Sequence, residues 1–327
     1  MLGEHGQVLG SEVGSLLTDK PDVAVAIRHP SIVQAIQENR LRVTVGWNGL
    51  AGDCGHRVPL FLFTLPAPAM QEFTREEAAY RRMLTGRQVH RTCDRLTLTP
   101  GGYCQSTALA LDTRRSLPPF LPVFRGEDVA FGQLLRFFQP DAAIAYQPTS
   151  LLHVPAASRA NPGGGLDGMA GHRSQSGLLV ALLQLAAPSP AEAPADPGTL
   201  ARRAQEILRG DFFELLAANQ LRQEGEQMLR SCLAQLLAHP GAPGYWRRDL
   251  EAVIRSLHAA AQCPDFIYPA ELSECRPAVE RAGTLRDVLT AYFELIAAWP
   301  ALWSAAVKLR ERDGVTPARP IGGPGRP

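Results

Sequence analysis

The sequence has no pair of cysteines spaced as C-x-x-C. Its six cysteines, Cys54, Cys93, Cys104, Cys232, Cys263 and Cys275, are widely spaced. Zinc ribbons and thioredoxin-like redox motifs are thereby excluded, and a reduced, cytoplasmic setting is expected. No run approaches the roughly 18 consecutive apolar residues that a membrane-spanning helix needs, so no transmembrane segment is expected. The chain does not open on a basic start followed by an apolar core, so no signal peptide is expected. An excess of one charge is also missing: 33 Lys and Arg stand against 32 Asp and Glu, a net charge of +1. That balance excludes a nucleic-acid surface and a polybasic anchor. No repeat recurs at a fixed period.

What is present is an ordinary globular balance, 45% hydrophobic and 20% charged, on 327 residues. That length predicts two units. In the first half, short strands alternate with helices. Val23–Ile27 and Leu41–Val45 read as strands, and Ser31–Asn39 as a short helix. Asn48–Gly55 reads as a glycine-punctuated loop, Pro59–Leu65 as an apolar strand, and Phe73–Leu84 as a helix. Gln88–Leu98, Thr107–Asp112, Ala142–Tyr146 and Ser150–Val154 complete the strand set. This alternation predicts an α/β layer structure.

The stretch from Leu117 to Arg136 organises this half. Pro118, Pro119 and Pro122 hold the backbone extended and donate nothing to a sheet. Gly126 permits a change of direction, and Asp128 is the expected N-cap of a helix whose Phe131, Leu134, Leu135 and Phe138 share one buried face. Glu127 and Asp128 thus stand at a helix N-terminus, which favours their ionised forms. A carboxylate held there can accept a proton from a hydroxyl.

After a glycine-rich segment over 156–175, the composition turns helical. Helices are predicted at Ser176–Ala187, Leu200–Arg209, Asp211 to about His239, Tyr245–Gln262, and Thr284–Trp299. Pro300 is expected to kink or restart the last of these before Leu302–Arg310. Residues 1–20 and the tail from Thr316 carry little pattern and are expected to be poorly ordered.

Read as one block, Thr107–Pro155 runs from a small-residue strand through a Pro-Phe segment to Gly126-Glu127-Asp128, a helix, a strand and His153. This order resembles the acceptor half of glycosyltransferases with the GT-A fold, especially family 2-like bacterial members. Gly49–Gly55, Leu111–Arg115 and Leu117–Phe120 add to the likeness, which covers roughly residues 40–155. The resemblance implies a partial GT-A-like, Rossmann-like mixed sheet with helices over 1–155. Downstream, the pattern gives a loop, helix and Ala/Pro linker over 156–198, a mostly α-helical domain over 199–312, and a disordered tail over 313–327.

The resemblance also implies a function: sugar transfer from a nucleotide-sugar donor to a carbohydrate or lipid-linked acceptor. Asp128 is then the catalytic base, Glu127 its neighbour at the acceptor, and His153 a ligand of a divalent metal, Mn2+ or Mg2+. The family's earlier half ends in an Asp-x-Asp that binds this metal. Only about forty residues precede the matched block, and Asp19-Lys20-Pro21-Asp22 has the wrong spacing. A truncated or diverged relative is therefore expected. The competing expectation is a non-catalytic binding or scaffold protein derived from the same family, with a peripheral membrane complex as a further candidate partner.

Several residues carry two readings each. Arg125 can pair with either acid or with phosphate. Asp53 can bind an acceptor hydroxyl or a metal, or bond its own turn. Asp112 with Arg114 and Arg115 can grip an anionic ligand or form a surface ion pair. His153 is a metal ligand or a hydrogen-bonded core histidine. Cys54 and His56 share no face in a loop, which argues against a thiol enzyme. Trp246 and Trp303 read as packing between helices rather than sugar platforms. Asn161–Gly165 is a lid or a slack connection.

Overall fold

In the computed structural model, the described residues are 8–20, 22–25, 30–53, 60–100, 109–123, 127–157, 166, 176–187, 196–211, 213–262, 272 and 277–312. Residues 1–7, the Cys54–His56 pair, Arg125, the Asn161–Gly165 segment and the tail from 313 lie outside them, as do the expectations placed there; within the N-terminal stretch expected to be poorly ordered, Val13–Asp19 is a helix with Val13 and Leu16 buried. The fold is mixed α/β with a C-terminal helical region. The described strands are β1 (Ala24–Val25), β2 (Arg42–Asp53), β3 (Gln88–Arg91), β4 (Thr97–Thr99), β5 (Leu109–Leu111) and β6 (Ala142–His153). They form one open sheet in the order β1-β4-β6-β2-β3, with β5 also paired to β2. The helices are α1 (Val13–Asp19), α2 (Pro30–Gln37), α3 (Ala67–Phe73), α4 (Glu77–Thr85), α5 (Glu127–Phe138), α6 (Ser176–Ala186), α7 (Pro197–Arg209), α8 (Phe213–Ala238), α9 (Gly244–Ala261) and α10 (Ala278–Arg312).

The parallel pair β2–β6 is the spine of the sheet. β5 and β3 pair antiparallel with β2, β5 at Val45–Trp47 and β3 at Leu50–Asp53. The expected loop at Asn48–Gly55 is instead strand as far as Asp53, because β6 offers a partner along the whole length. Gly52 makes this possible: its φ is +95° and a Cβ there would lie 2.4 Å from the His153 carbonyl oxygen. The two strands expected at Ala142–Tyr146 and Ser150–Val154 are one strand. Pro148, which cannot donate to a ladder, falls in a bulge, where Asn48 pairs with Gln147 and the next pair is Gly49 with Ser150.

Alternation along β2 and β6 gives the sheet two apolar faces. On one, Val43, Ala143 and Ala145 pack with Val13, Leu16 and Leu98. On the other, Val45, Trp47, Ala142 and Ile144 pack with Phe131 and Leu135 of α5. The periodicity read in the sequence places α5 correctly, although the helix already includes Glu127, so Asp128 sits in its first turn rather than at the cap.

Between β5 and α5 the chain crosses this second face as an extended strap. Pro118 and Pro119 are buried there. Their nitrogens have no hydrogen, yet the neighbouring carbonyls still need donors. The last helix supplies them. Tyr292 of α10 donates its hydroxyl to the Pro119 carbonyl at 2.9 Å, and Trp299 donates its indole N–H to the Leu117 carbonyl. Burial pushes the Tyr292 hydroxyl far above its ordinary range, so it remains a donor at neutral pH. Phe120 of the strap stacks on Phe131 of α5 at a centroid distance of 4.3 Å and an interplanar angle of 7°.

The helical half shares its cores with the first 155 residues. Leu121, Ala130 and Leu134 join α6, α7 and α10 in one cluster. Trp246 of α9 and Cys232 of α8 join Phe63, Phe73 and Tyr80 in another. Leu60–Thr64, expected as a strand, is a 3-10 turn, since a short apolar run does not distinguish the two by pattern. The helix expected over Phe73–Leu84 is two, α3 and α4, and the Thr74 hydroxyl at the break donates to the Met70 carbonyl. α10 begins before Thr284 and continues through Pro300.

Removing the donor at Tyr292 leaves a buried carbonyl unsatisfied. Tyr292→Phe is expected to lower the unfolding free energy by about 1–3 kcal/mol in urea titration.

Candidate functional site

In an open α/β sheet, ligands sit beyond the carboxyl ends of the parallel strands. Here β2 and β6 share that edge, with Asp53 and His153 at their ends. α5 joins β6 through residues 139–141 and packs on the sheet, so it runs back antiparallel to the strand. Its 12 residues span about 18 Å. Its first turn therefore stands roughly level with Tyr146 and Trp47, near the middle of the two strands. Glu127 precedes Phe131 by one turn and shares its sheet-facing side. Both acids are half-buried.

On the face that α5 covers lie two aromatic rings, Trp47 and Tyr146, in edge-to-face contact at 5.2 Å. Trp47 is 6% exposed, and its indole N–H has no hydrogen-bond partner among the described residues. Gln147, on the opposite face, is likewise buried with its amide nitrogen unpaired. Buried donors without acceptors are uncommon in folded proteins.

Asp53 is 1% exposed and forms an ion pair with Arg87, 8% exposed, at 3.2 Å. Its backbone carbonyl receives His153 Nδ1 at 2.7 Å. A carbonyl only accepts, so Nδ1 carries a proton and is the donor. The structure thus brings Asp53 and His153 together through the backbone of one and the ring of the other. A divalent metal needs several oxygen or imidazole ligands. Among the described residues no three His, Cys, Asp or Glu side chains converge to hold one. The residues present do not by themselves make a metal site.

Asp112 and Arg114 lie at the other end of the sheet, next to Val45 through β5. Val45 and Asp53 are about 26 Å apart along β2, so these candidates do not share a site with Asp53. Asp112 receives Arg114 Nε at 2.7 Å and Nη2 at 2.8 Å. The hydrogen bond from Arg114 holds the Asp112 carboxyl below its usual range against the opposing effect of burial. Gly10, at φ +79°, makes room for that guanidinium: a Cβ there would lie 1.7 Å from Arg114 Nη2. Arg115 forms its own forked pair with Asp141 at 2.6 and 2.8 Å. Asn39, Arg40, Arg42 and Arg115 line a nearby open cavity of about 580 Å³. A second cavity, of about 440 Å³, lies between α3 and the turn after α8. Neither is lined by Glu127 or Asp128. Trp246 is fully buried and Trp303 half-buried, both as packing residues.

Arg87, Trp47 and Gln147 were not among the sequence-predicted site residues. Arg87 is distant from Asp53 in the chain, and no spacing links them. Trp47 has a weak signal, an aromatic one residue before Asn48 inside an alternating run. Arg87→Leu leaves a carboxylate buried without its guanidinium and is expected to cost about 3–5 kcal/mol of stability, with most of it regained when Asp53→Leu is added. Asp112 stabilises the fold above the ordinary carboxylate pKa, and that contribution is lost as pH falls through its depressed folded value. Asp112→Asn is therefore expected to flatten the decline of unfolding free energy below about pH 4. No protein-family model, curated protein or solved structure matches the chain.

Proposed function

We propose that this chain is a glycosyltransferase-like protein with a partial GT-A-like sheet. It would take a sugar from a nucleotide-sugar donor and pass it to a carbohydrate or lipid-linked acceptor. One observation supports the reading: the helix that carries Glu127 and Asp128 packs through Phe131 and Leu135 on the face of the parallel strand pair that also holds Trp47, whose indole N–H has no partner among the described residues. The order of strand, strap, helix and strand that suggested the family is also the order in the structure.

In this reading Asp128 takes the proton of the acceptor hydroxyl as its oxygen attacks the anomeric carbon. The bond from that carbon to the diphosphate breaks, and the diphosphate leaves with the electron pair. Glu127 and the Trp47 N–H orient the acceptor by hydrogen bonds. A divalent cation, Mn2+ or Mg2+, would supply counter-charge for the departing diphosphate, with His153 as a candidate ligand. The second reading is a non-catalytic binding or scaffold protein on the same fold. The absence of any Asp-x-Asp from the sequence favours it.

Calorimetry with UDP- and GDP-sugars in the presence of Mn2+, followed by a transfer assay, separates the two. The transferase reading predicts binding, and turnover reduced at least about 100-fold by Asp128→Asn with donor binding retained. Binding without turnover supports the scaffold reading. No binding at about millimolar donor contradicts the transferase.

A further inference from the structure

α10 is the longest helix described, Ala278–Arg312, and its two ends differ in surroundings. In the first part Leu285, Leu289, Tyr292, Phe293 and Ile296 are buried in the core shared with α6 and α7. From Ala297 to Arg312 no residue is buried, and only Trp299, Trp303 and Val307 are half-covered, on the side turned to the protein. The opposite side is apolar: Ala298, Leu302, Ala305 and Leu309 recur at helical spacing, with Leu302 49% and Leu309 50% exposed.

By length and composition α10 qualifies as a membrane-crossing helix, yet 22% of its most apolar window is buried. A core helix of that composition is mostly buried, so core packing does not account for it. Crossing a bilayer is excluded by the face already seated in the protein core. What remains is an apolar stripe lying parallel to a surface.

Charge indicates which surface. At about 100° per residue, Lys308 and Arg312 fall on one margin of the stripe, where long side chains keep their charges at the boundary. Residues 308–327 carry five Lys and Arg against Glu311 and Asp313. Taking these from the totals of 33 and 32 leaves 28 cationic against 30 anionic residues in the rest of the chain. The described end of the helix, residues 308–312, carries Lys308, Arg310 and Arg312 against Glu311 in a chain of net charge +1.

We propose that the C-terminal part of α10 is an interfacial helix that docks the protein on an anionic lipid bilayer. Ala298, Leu302, Ala305 and Leu309 enter the headgroup boundary, and Lys308 and Arg312 contact the lipid phosphates. This rests on α10 alone and does not depend on the transferase reading.

Co-sedimentation of the full chain with large vesicles tests it. One set is phosphatidylcholine alone and the other contains about one third phosphatidylglycerol. Expected is partition onto the anionic vesicles that is weakened by salt and reduced about tenfold or more by Leu302→Asp with Leu309→Asp. The charge reversal Lys308→Glu with Arg312→Glu is expected to reduce it as well. These positions are exposed, so the circular dichroism of both variants is expected to match the parent. Failure to partition onto anionic vesicles at about 1 mM lipid overturns the proposal. So does concentration-dependent self-association that the leucine variant abolishes, which assigns the stripe to a second copy of the chain.

Discussion

Two side-chain hydrogen bonds from α10 to the Leu117–Pro119 strap hold the rest of this structure in register. A strap with consecutive prolines cannot satisfy itself, because it offers carbonyls without the matching N–H groups. Buried on the sheet, it depends on donors from elsewhere, and Tyr292 and Trp299 are those donors. Seven residues apart on one helix, they reach the strap from the same face. The strap in turn stacks Phe120 on Phe131 and so fixes how α5 lies on the sheet. The helical half is thereby a clamp on the element that carries Glu127 and Asp128. α10 also shares a core cluster with Ala130 and Leu134 of α5.

The sheet separates two kinds of charge. At the amino end of β2, Asp112–Arg114 and Asp141–Arg115 are paired, and Arg42 lies 3.7 Å from Glu12. Exposed arginines in such pairs contribute little stability each, and they leave the sheet edge wet and well satisfied. At the carboxyl end the pairing is buried. Asp53 and Arg87 face each other with almost no solvent, and His153 is locked to the Asp53 backbone. Between the two ends lie the aromatic pair and the open indole N–H, on the face that α5 covers. Grouping Asp53 and Asp112 as joint ligand-binding residues fails for this reason. A strand keeps its two ends apart however near the residues stand in a motif.

The legible parts of the sequence were those where one local signal decides the outcome. Phe131, Leu134 and Leu135 announced α5 through their spacing, and the prolines announced the strap. The part that was not legible depended on partners distant in the chain. Gly49 and Gly52 look like a loop until β6 is present to pair with them, and Pro148 looks like a strand end until its bulge is seen. Leu60–Thr64 becomes a 3-10 turn because Leu62 and Phe63 pack against Trp246, far along the chain. No pattern forecasts the Asp53–Arg87 pair, since a buried ion pair leaves no spacing rule behind. The exposed stripe of α10 is not legible either, because a helical period shows that a face is apolar and not whether anything covers it.

The most direct test of the clamp is native-state hydrogen exchange on a double variant, Tyr292→Phe with Trp299→Phe. The first amides of a helix have no intrahelical acceptor, so the informative amides are those of residues 131 to 135. If α10 fixes α5 through the strap, these exchange faster in the variant while the β2–β6 ladder keeps its protection. Unchanged exchange in α5, or an equal rise in α5 and the ladder, would show that the acids are positioned by something other than this clamp.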